Sequence, residues 1–570
     1  MSVETHKVDR VSGDDPHLKK EFGTVGLLFT AIGSIIGSGW LFSSLEASAL
    51  AGPAAILTWI VGTILFLFIG LSYAELGVMM PRSGGVARYP LYAWGSFASY
   101  SFGWVTWLAC AAVAAVEVSA VLTYASSYLP WLENPNKTLK PAGLVIAIAM
   151  LGLFVLINFF GVKWFARINN VLVWWKLGMI VLVVVAIMVA SFHLGNFSLT
   201  TSDGSGFAPK GISGAMEAIP AAGVAFSFLG WRQGIELAGE TDNPKKNVPI
   251  TLIGSIVICG ILYILLQIAF IGALNPAELA HHGWSNVGNV IKTGSDAGNF
   301  SPLATMASVL GMSWLAGLLF ADAFISPGDT GLIYTSVTAR MSYAMGRNRN
   351  APEVLAKVNT NGVPWPSLIL AWIAGAIFFL PFPSWQALVG VVTSLTVLSF
   401  GSGSIALLTF RKQLPDMERP YRSRIPWVIG PLALLATNLI MFWAGWDQVW
   451  KMMCAVAIGY VFLAIFQVAD RGRAPKLEFR NGWWVLVWFA GILLVSYMGS
   501  YSGDPAKPHE ALGQANLYGF YGGILANIVL TAIVLAVAWY CQLPPERVDE
   551  ILNETEEIIE KDEGKLAPGV

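Results

Sequence analysis

Long apolar stretches set what this chain can become. Between residues 22 and 541 there are fourteen of them with the length of a membrane crossing, about 20 apolar residues each; among them are 22–49, 54–80, 96–128, 214–240 and 303–339. Hydrocarbon offers backbone N–H and C=O groups no partner, so such stretches must be helices. Composition agrees. Of 570 residues 55% are hydrophobic and 12% charged, too little charge to cover a water-soluble surface of that size. A formal net charge of −1 gives no basic face for nucleic acid. Cys110, Cys259, Cys454 and Cys541 lie in or beside apolar stretches, at spacings that suit neither a disulfide framework nor a metal site. The expectation is an all-α polytopic membrane protein in a lipid bilayer, without metal or cofactor and without a nucleic-acid partner.

Charge in the loops gives the orientation. Of 34 Lys and Arg, 26 fall on one alternating set of connections and 6 (Lys137, Lys140, Lys210, Lys292, Lys451 and Lys507) on the other. Lys176 and Arg232 lie within spans. Positive charge marks the inner side, so both termini are expected in the cytoplasm. The polar segment 1–21 is expected to be a cytoplasmic tail with no signal peptide. The acidic segment 542–570 is expected to be a solvated tail, with a short helix over 544–561 as the alternative.

Inside the first span the chain reads Gly33-Ser-Ile-Ile-Gly-Ser-Gly39. Each glycine costs a helix interior roughly 1 kcal/mol relative to alanine, and a broken membrane helix leaves backbone groups for a ligand to satisfy. The sixth span carries a second irregularity, Phe226-Ser-Phe-Leu-Gly-Trp-Arg-Gln-Gly234. Small residues can also serve close helix packing alone. Breaks at matching places, five spans apart and in opposite directions, instead predict a five-plus-five inverted-repeat transporter core. That core is expected over 22–410, with accessory spans over 411–541. The eighth span is too long for one straight crossing, and Ser326-Pro327-Gly328 is the expected kink or break.

These segments resemble a known family, the amino acid–polyamine–organocation (APC) permeases. The resemblance rests on Gly33 to Phe42, Tyr73-Ala-Glu75-Leu-Gly with Pro81-Arg-Ser-Gly-Gly85, and Phe228 to Pro249. Tyr343-Ala-Met-Gly-Arg347-Asn and the loop to Pro364 complete it. Within the family the chain is most similar to the aspartate–proton symporter branch, through Gly37-Ser-Gly-Trp-Leu-Phe42, Arg88-Tyr-Pro-Leu-Tyr92, Ser326-Pro-Gly328 and Leu380-Pro-Phe-Pro-Ser-Trp385. It departs from that branch at Trp231-Arg232-Gln233. The resemblance implies import of an amino acid with protons across a prokaryotic plasma membrane, the substrate being aspartate or glutamate. A neutral or cationic amino acid, carried by permeation or exchange, is the alternative. It also implies that the α-carboxylate meets the backbone of Ser34, Ile35, Gly37, Ser38 and Gly39, where helix-end N–H groups are free. The α-ammonium would meet carbonyls near Phe226, Ser227 and Leu229, with Phe226 and Phe228 as gating aromatics or plain packing.

Two buried cations carry the rest. Arg232 can fork onto a substrate carboxylate, or pair internally with Glu236, Glu117 or Glu217. Burial makes a lysine's charge expensive and its proton exchangeable. In relatives a fifth-span lysine stands where a sodium ion would, so Lys176 is expected to bridge carbonyls near Gly33 to the eighth span and to couple protons. Glu117 is either a proton carrier or the partner of one of these cations. Asp322 and Asp329 line the pathway or cap a broken segment; Glu75 and Arg82 lie at the inner end, and Glu46 near the outer vestibule. The spans hold no HExxH motif and the chain no P-loop, so no enzyme and no ATP-driven pump is expected.

Overall fold

The computed structural model describes residues 23–80, 85–160, 163–201, 206–291, 301–347, 351–359, 362–381, 384–469, 476–501 and 514–553. Among these the regular structure is helical, apart from one isolated bridge between Glu133 and Leu139. The N-terminal tail, Arg82 and residues 554–570 lie outside the described residues.

Every expected span has a helical counterpart. The first is split into α1 (Thr24–Ile35) and α2 (Gly39–Ala51), and α3 (Ala55–Met79) returns. A short helix, α4 (Gly85–Trp94), turns at Gly95 into α5 (Ser96–Ser126). Then come α6 (Pro141–Phe159), α7 (Lys163–Ala190) and α8 (Gly211–Ala221). Together α8 and Phe226–Glu236 make a span bent by 51°. After it follow α9 (Pro244–Ala273), α10 (Ser313–Arg347), α11 (Trp365–Phe378), α12 (Trp385–Gln413), α13 (Pro426–Trp443), α14 (Trp446–Ala469), α15 (Trp484–Met498) and α16 (Phe520–Tyr540). This is a polytopic helical fold with two five-span halves, each opening on a broken span.

Of the kink or break expected in the eighth span, the break lies elsewhere. Helix α10 runs unbroken through Ser326-Pro327-Gly328, and the interruption falls at Gly311, whose φ of 76° ends the preceding helix Pro302–Val309. Proline removes one N–H from a helix interior, a gap the remaining ladder here tolerates. A residue with positive φ reverses the chain outright. The sixth-span break also begins before the expected segment: the positive φ is at Gly223 (78°), and Phe226–Arg232 is a 3-10 turn.

Two helix sets are visible. One packs α3, α9 and α1 together with α8; the other packs α5 against α10, with α6 and α11 alongside. The apolar windows of α5 and α12 are wholly buried, whereas those of α6, α14 and α16 are 28% buried and face outward. Glu75 of α3 pins the loop before α13. Arg411 donates to it from Nε (2.9 Å) and Nη2 (2.6 Å), Arg419 lies 3.3 Å away and Ser423 N–H donates at 2.9 Å. Glu75 is thus a structural clamp.

The segment after α16 is less solvated than its charge suggests. Residues 545–553 are helical, and Leu543, Val548, Ile551 and Leu552 are buried. Ala93 O accepts from both Leu543 N–H (2.9 Å) and Gln413 Nε2 (3.0 Å), and Arg547 pairs with Glu478 at 3.1 Å. Leu543 just before the helix and three apolar side chains at helical spacing within it supply a buried face that the flanking acids obscure in the sequence.

Candidate functional site

The two breaks interlock. A Cβ on Gly39 would collide with Ser227 of the sixth span, and one on Gly230 would collide with the backbone of Ser34 and Ile35. Each break therefore needs a glycine where it meets the other, a closer reason for these residues than helix breaking.

In the first break α1 ends with Ile36 N–H on Ile32 O (2.9 Å) and Gly37 N–H on Ile35 O (3.0 Å). Ser38 caps α2, so Gly39 and Trp40 N–H open the new helix without intrahelical acceptors. Ser38 N–H donates to Glu117 Oε2 at 2.8 Å, and Gly37 lies beneath the same carboxylate. A side chain of α5 thus supplies to the helix end the kind of group expected from a substrate. Glu117 forms no ion pair with Arg232 or Lys176 among the described residues. Ser38 Oγ accepts from Trp385 Nε1 of α12 at 2.9 Å, and Ser34 Oγ is buried without a hydrogen-bond partner among the described residues.

Lys176 of α7 is fully buried and spans the seam between the helix sets. Its Nζ donates to Gly33 O (2.8 Å) and Thr330 Oγ1 (3.3 Å), and it pairs with Asp329 Oδ2 at 2.7 Å. Thr330 Oγ1 also lies 3.4 Å from Gly33 O and from Ile36 O. The carbonyl end of α1 is thereby held by a cation and a hydroxyl, which suits the negative end of a helix dipole.

In the sixth span Gly223 O accepts both Ser227 N–H and Ser227 Oγ at 2.9 Å. Phe226 and Phe228 turn to different neighbours. Phe226 meets Trp385 edge-on at 6.3 Å, beside the first break, whereas Phe228 stacks on Phe66 at 5.3 Å within a cluster containing Trp59 and Tyr263. Phe228 is packing, and Leu229 is buried near it. Ile35 offers its carbonyl to Tyr263 at 3.5 Å.

Arg232 is 1% exposed. Its Nη2 donates to Cys110 Sγ of α5, its guanidinium lies over the Tyr334 ring at 5.8 Å, and Nε and Nη1 have no hydrogen-bond partner among the described residues. Glu236 acts on it electrostatically, and no ion pair to Glu117 or Glu217 forms among the described residues. Seven residues of α5 separate Cys110 from Glu117, about 10 Å of helix. Arg232 therefore sits two turns from the cradle, toward the N-terminal end of α5.

Sequence reasoning passed over Cys110, Thr330 and Trp385 as site residues. A signal existed for the first. Cys110 and Glu117 are seven apart, as are Asp322 and Asp329, a spacing that returns to one helix face. The bond from Trp385 to Ser38 joins residues far apart in sequence and has no local signature.

The sequence pattern defining the family described as "Amino acid permease" matches residues 22–463. The chain belongs to the amino acid permease family. This permease is 34% identical to the glutamate/serine transporter AimA of Bacillus subtilis, over 95% of this chain and 96% of that one. It is equally 34% identical to the aspartate-proton symporter of the same organism, over 85% of this chain and 91% of the relative. The branched-chain amino acid permease BcaP, also from Bacillus subtilis, is 26% identical over 79% of this permease and 93% of its own length. The permease is a multi-pass membrane protein of amino acid transport with bacterial relatives.

Proposed function

We propose that this permease is a secondary active importer that moves an acidic amino acid, aspartate or glutamate, together with protons. The observation that carries the reading is Lys176, wedged between Gly33 O, Thr330 and Asp329. A proton leaving this ammonium removes its attraction for Asp329 and loosens the grip on α1, so proton exchange and movement of the first break become one event. The names of two relatives, a transporter of glutamate and an aspartate-proton symporter, support the same substrate class.

The α-carboxylate of the cargo would take the N–H groups of Ser38, Gly39 and Trp40, displacing Glu117. The α-ammonium would then meet carbonyls near Phe226, Ser227 and Leu229, with Phe226 closing over it. A side chain pointed along α5 toward Cys110 brings its carboxylate toward Arg232. That residue's two nitrogens without a hydrogen-bond partner among the described residues, and its long, rotatable stem, favour an anion. The alternative is a neutral cargo such as serine, for which Arg232 stays on Cys110 and Tyr334. In this reading residues 22–410 are the transport core, 411–541 brace it, and both termini are cytoplasmic.

Uptake of labelled aspartate, glutamate, serine and lysine into proteoliposomes, with and without an imposed proton or sodium gradient, tests it. Acidic substrates should accumulate only with the proton gradient. Preference for lysine, or accumulation driven by sodium, would overturn it.

A further inference from the structure

Arg232 is held unlike the other buried charges of the core. Lys176 pairs with Asp329 at 2.7 Å, and Glu75 is clamped by Arg411 at 2.6 Å. Glu117 accepts from Ser38 N–H, and Asp322 of α10 accepts from Trp175 Nε1 (2.8 Å) and Ser326 Oγ (2.7 Å). The Arg232 guanidinium has no carboxylate hydrogen-bonded to it among the described residues. Two soft neighbours hold it instead, the fully buried Cys110 thiol of α5 and the Tyr334 ring of α10. Glu236, one turn on, acts on it through space.

Which nitrogen the thiol takes matters. A guanidinium offers a carboxylate two forked edges, Nε with Nη2 and Nη1 with Nη2, and both include Nη2. Arg411 shows the first, donating to Glu75 from Nε (2.9 Å) and Nη2 (2.6 Å). In Arg232, Nη2 is the nitrogen on Cys110, while Nε and Nη1 have no hydrogen-bond partner among the described residues. A carboxylate can therefore fork onto Arg232 only by displacing the thiol. Sulfur is a weak hydrogen-bond acceptor, and a guanidinium keeps its charge inside a protein. The thiol thus fixes where the guanidinium rests and yields readily to an anion.

We propose that Cys110 sets the selectivity of this permease between acidic and neutral amino acids, its sulfur occupying the guanidinium nitrogen that a cargo carboxylate must take. An acidic cargo draws Nη2 off the sulfur and forks onto Arg232. A neutral cargo leaves the guanidinium on Cys110 and Tyr334. Only hydrogen bonds are exchanged. A harder acceptor at position 110 holds Arg232 back from the cargo, and a side chain without an acceptor releases it. Cys110 is in this sense a positioning residue, acting on the cargo through Arg232. The inference rests on the reading that Arg232 receives the cargo's side-chain carboxylate.

The test uses the full-length protein in proteoliposomes and reads the ratio of apparent KM for labelled aspartate to that for labelled serine. Cys110→Asp gives Arg232 an internal fork and should raise the ratio by roughly 10- to 100-fold. Cys110→Ser, a harder neutral acceptor of nearly the same shape, should raise it a few-fold, and Cys110→Ala should lower it a few-fold. Combined with Arg232→Ala, each substitution should leave the ratio where Arg232→Ala alone puts it, the two sites being coupled. Where the aspartate variant does not fold, the opposed shifts of the serine and alanine variants decide the matter. A ratio unmoved in these two, a shift in the same direction by both, or a shift that persists without Arg232 would each overturn the proposal. Arg232→Ala alone leaving the ratio at its wild-type value would instead remove the reading beneath it.

Discussion

The first and sixth breaks have the same place in their halves and are built differently. The first is short and held from outside by ionisable side chains: Glu117 on the Ser38 N–H and Lys176 on the Gly33 carbonyl. The second is long and largely holds itself, through the 3-10 turn, the doubly bonded Gly223 carbonyl and aromatic packing, with Arg232 at its far end. On the proposed reading, proton exchange releases the first break and has little purchase on the second. The same proposal gives the shared backbone chemistry of an amino acid to the first and discrimination among side chains to the second, where two guanidinium nitrogens have no hydrogen-bond partner among the described residues.

Experiments can break this contrast. The largest effect belongs to what both breaks share. Gly230→Ala places a methyl on the Ser34 backbone, and overpacking of this kind costs about 1–3 kcal/mol or, against rigid backbone, more. It should abolish transport and lower the thermal midpoint in detergent; an unaffected midpoint would mean the breaks do not interlock. Next, Lys176→Ala should eliminate proton-driven accumulation while exchange survives in part. Concentrative uptake at the wild-type level would separate the first break from proton movement. Arg232→Ala should weaken acidic substrates by about 1.5–3 kcal/mol, roughly 10- to 100-fold in apparent affinity, with neutral ones far less affected. Equal loss for both would return Arg232 to a structural role. Trp385→Phe removes one hydrogen bond to Ser38 Oγ, worth about 1 kcal/mol, and should raise KM a few-fold for every substrate alike.

The smallest effect lies outside the membrane. Glu133, buried in the loop before α6 with Thr123 Oγ1 donating to it at 2.6 Å, has its pKa raised to about 7 by that burial. A carboxyl raised above its unfolded value stabilises the fold in acid and loses that contribution as pH rises through about 7. Protection from hydrogen exchange in residues 128–140, corrected for the intrinsic pH dependence of amide exchange, should therefore fall between pH 5 and pH 8, and Glu133→Gln should flatten that fall.

The spans were legible because the bilayer demands one kind of segment, and the first break because three glycines fall within seven residues. The sixth-span break was misplaced by a few residues because Gly223, Gly230 and Gly234 look alike in sequence. Only the first takes a positive φ; Gly230 meets the other break, and Gly234 packs against Thr251 of α9. The break that Pro327 could have made falls instead at Gly311, whose positive φ has the stronger backbone effect. Charged residues were easy to single out within apolar helices. Their partners were not, because Ser38 with Glu117 and Arg232 with Cys110 meet through tertiary packing alone.

The docked segment beyond α16 has a consequence for how the protein is made. Ala93 lies early in the chain, yet its carbonyl is completed by Leu543 N–H. Translation proceeds at about 5–20 residues per second, so the intervening stretch takes roughly 20–90 s to emerge. Throughout that time the corner between α4 and α5 is an unfinished surface that something else must shield, and the last helices to enter the membrane close a wound left by the first.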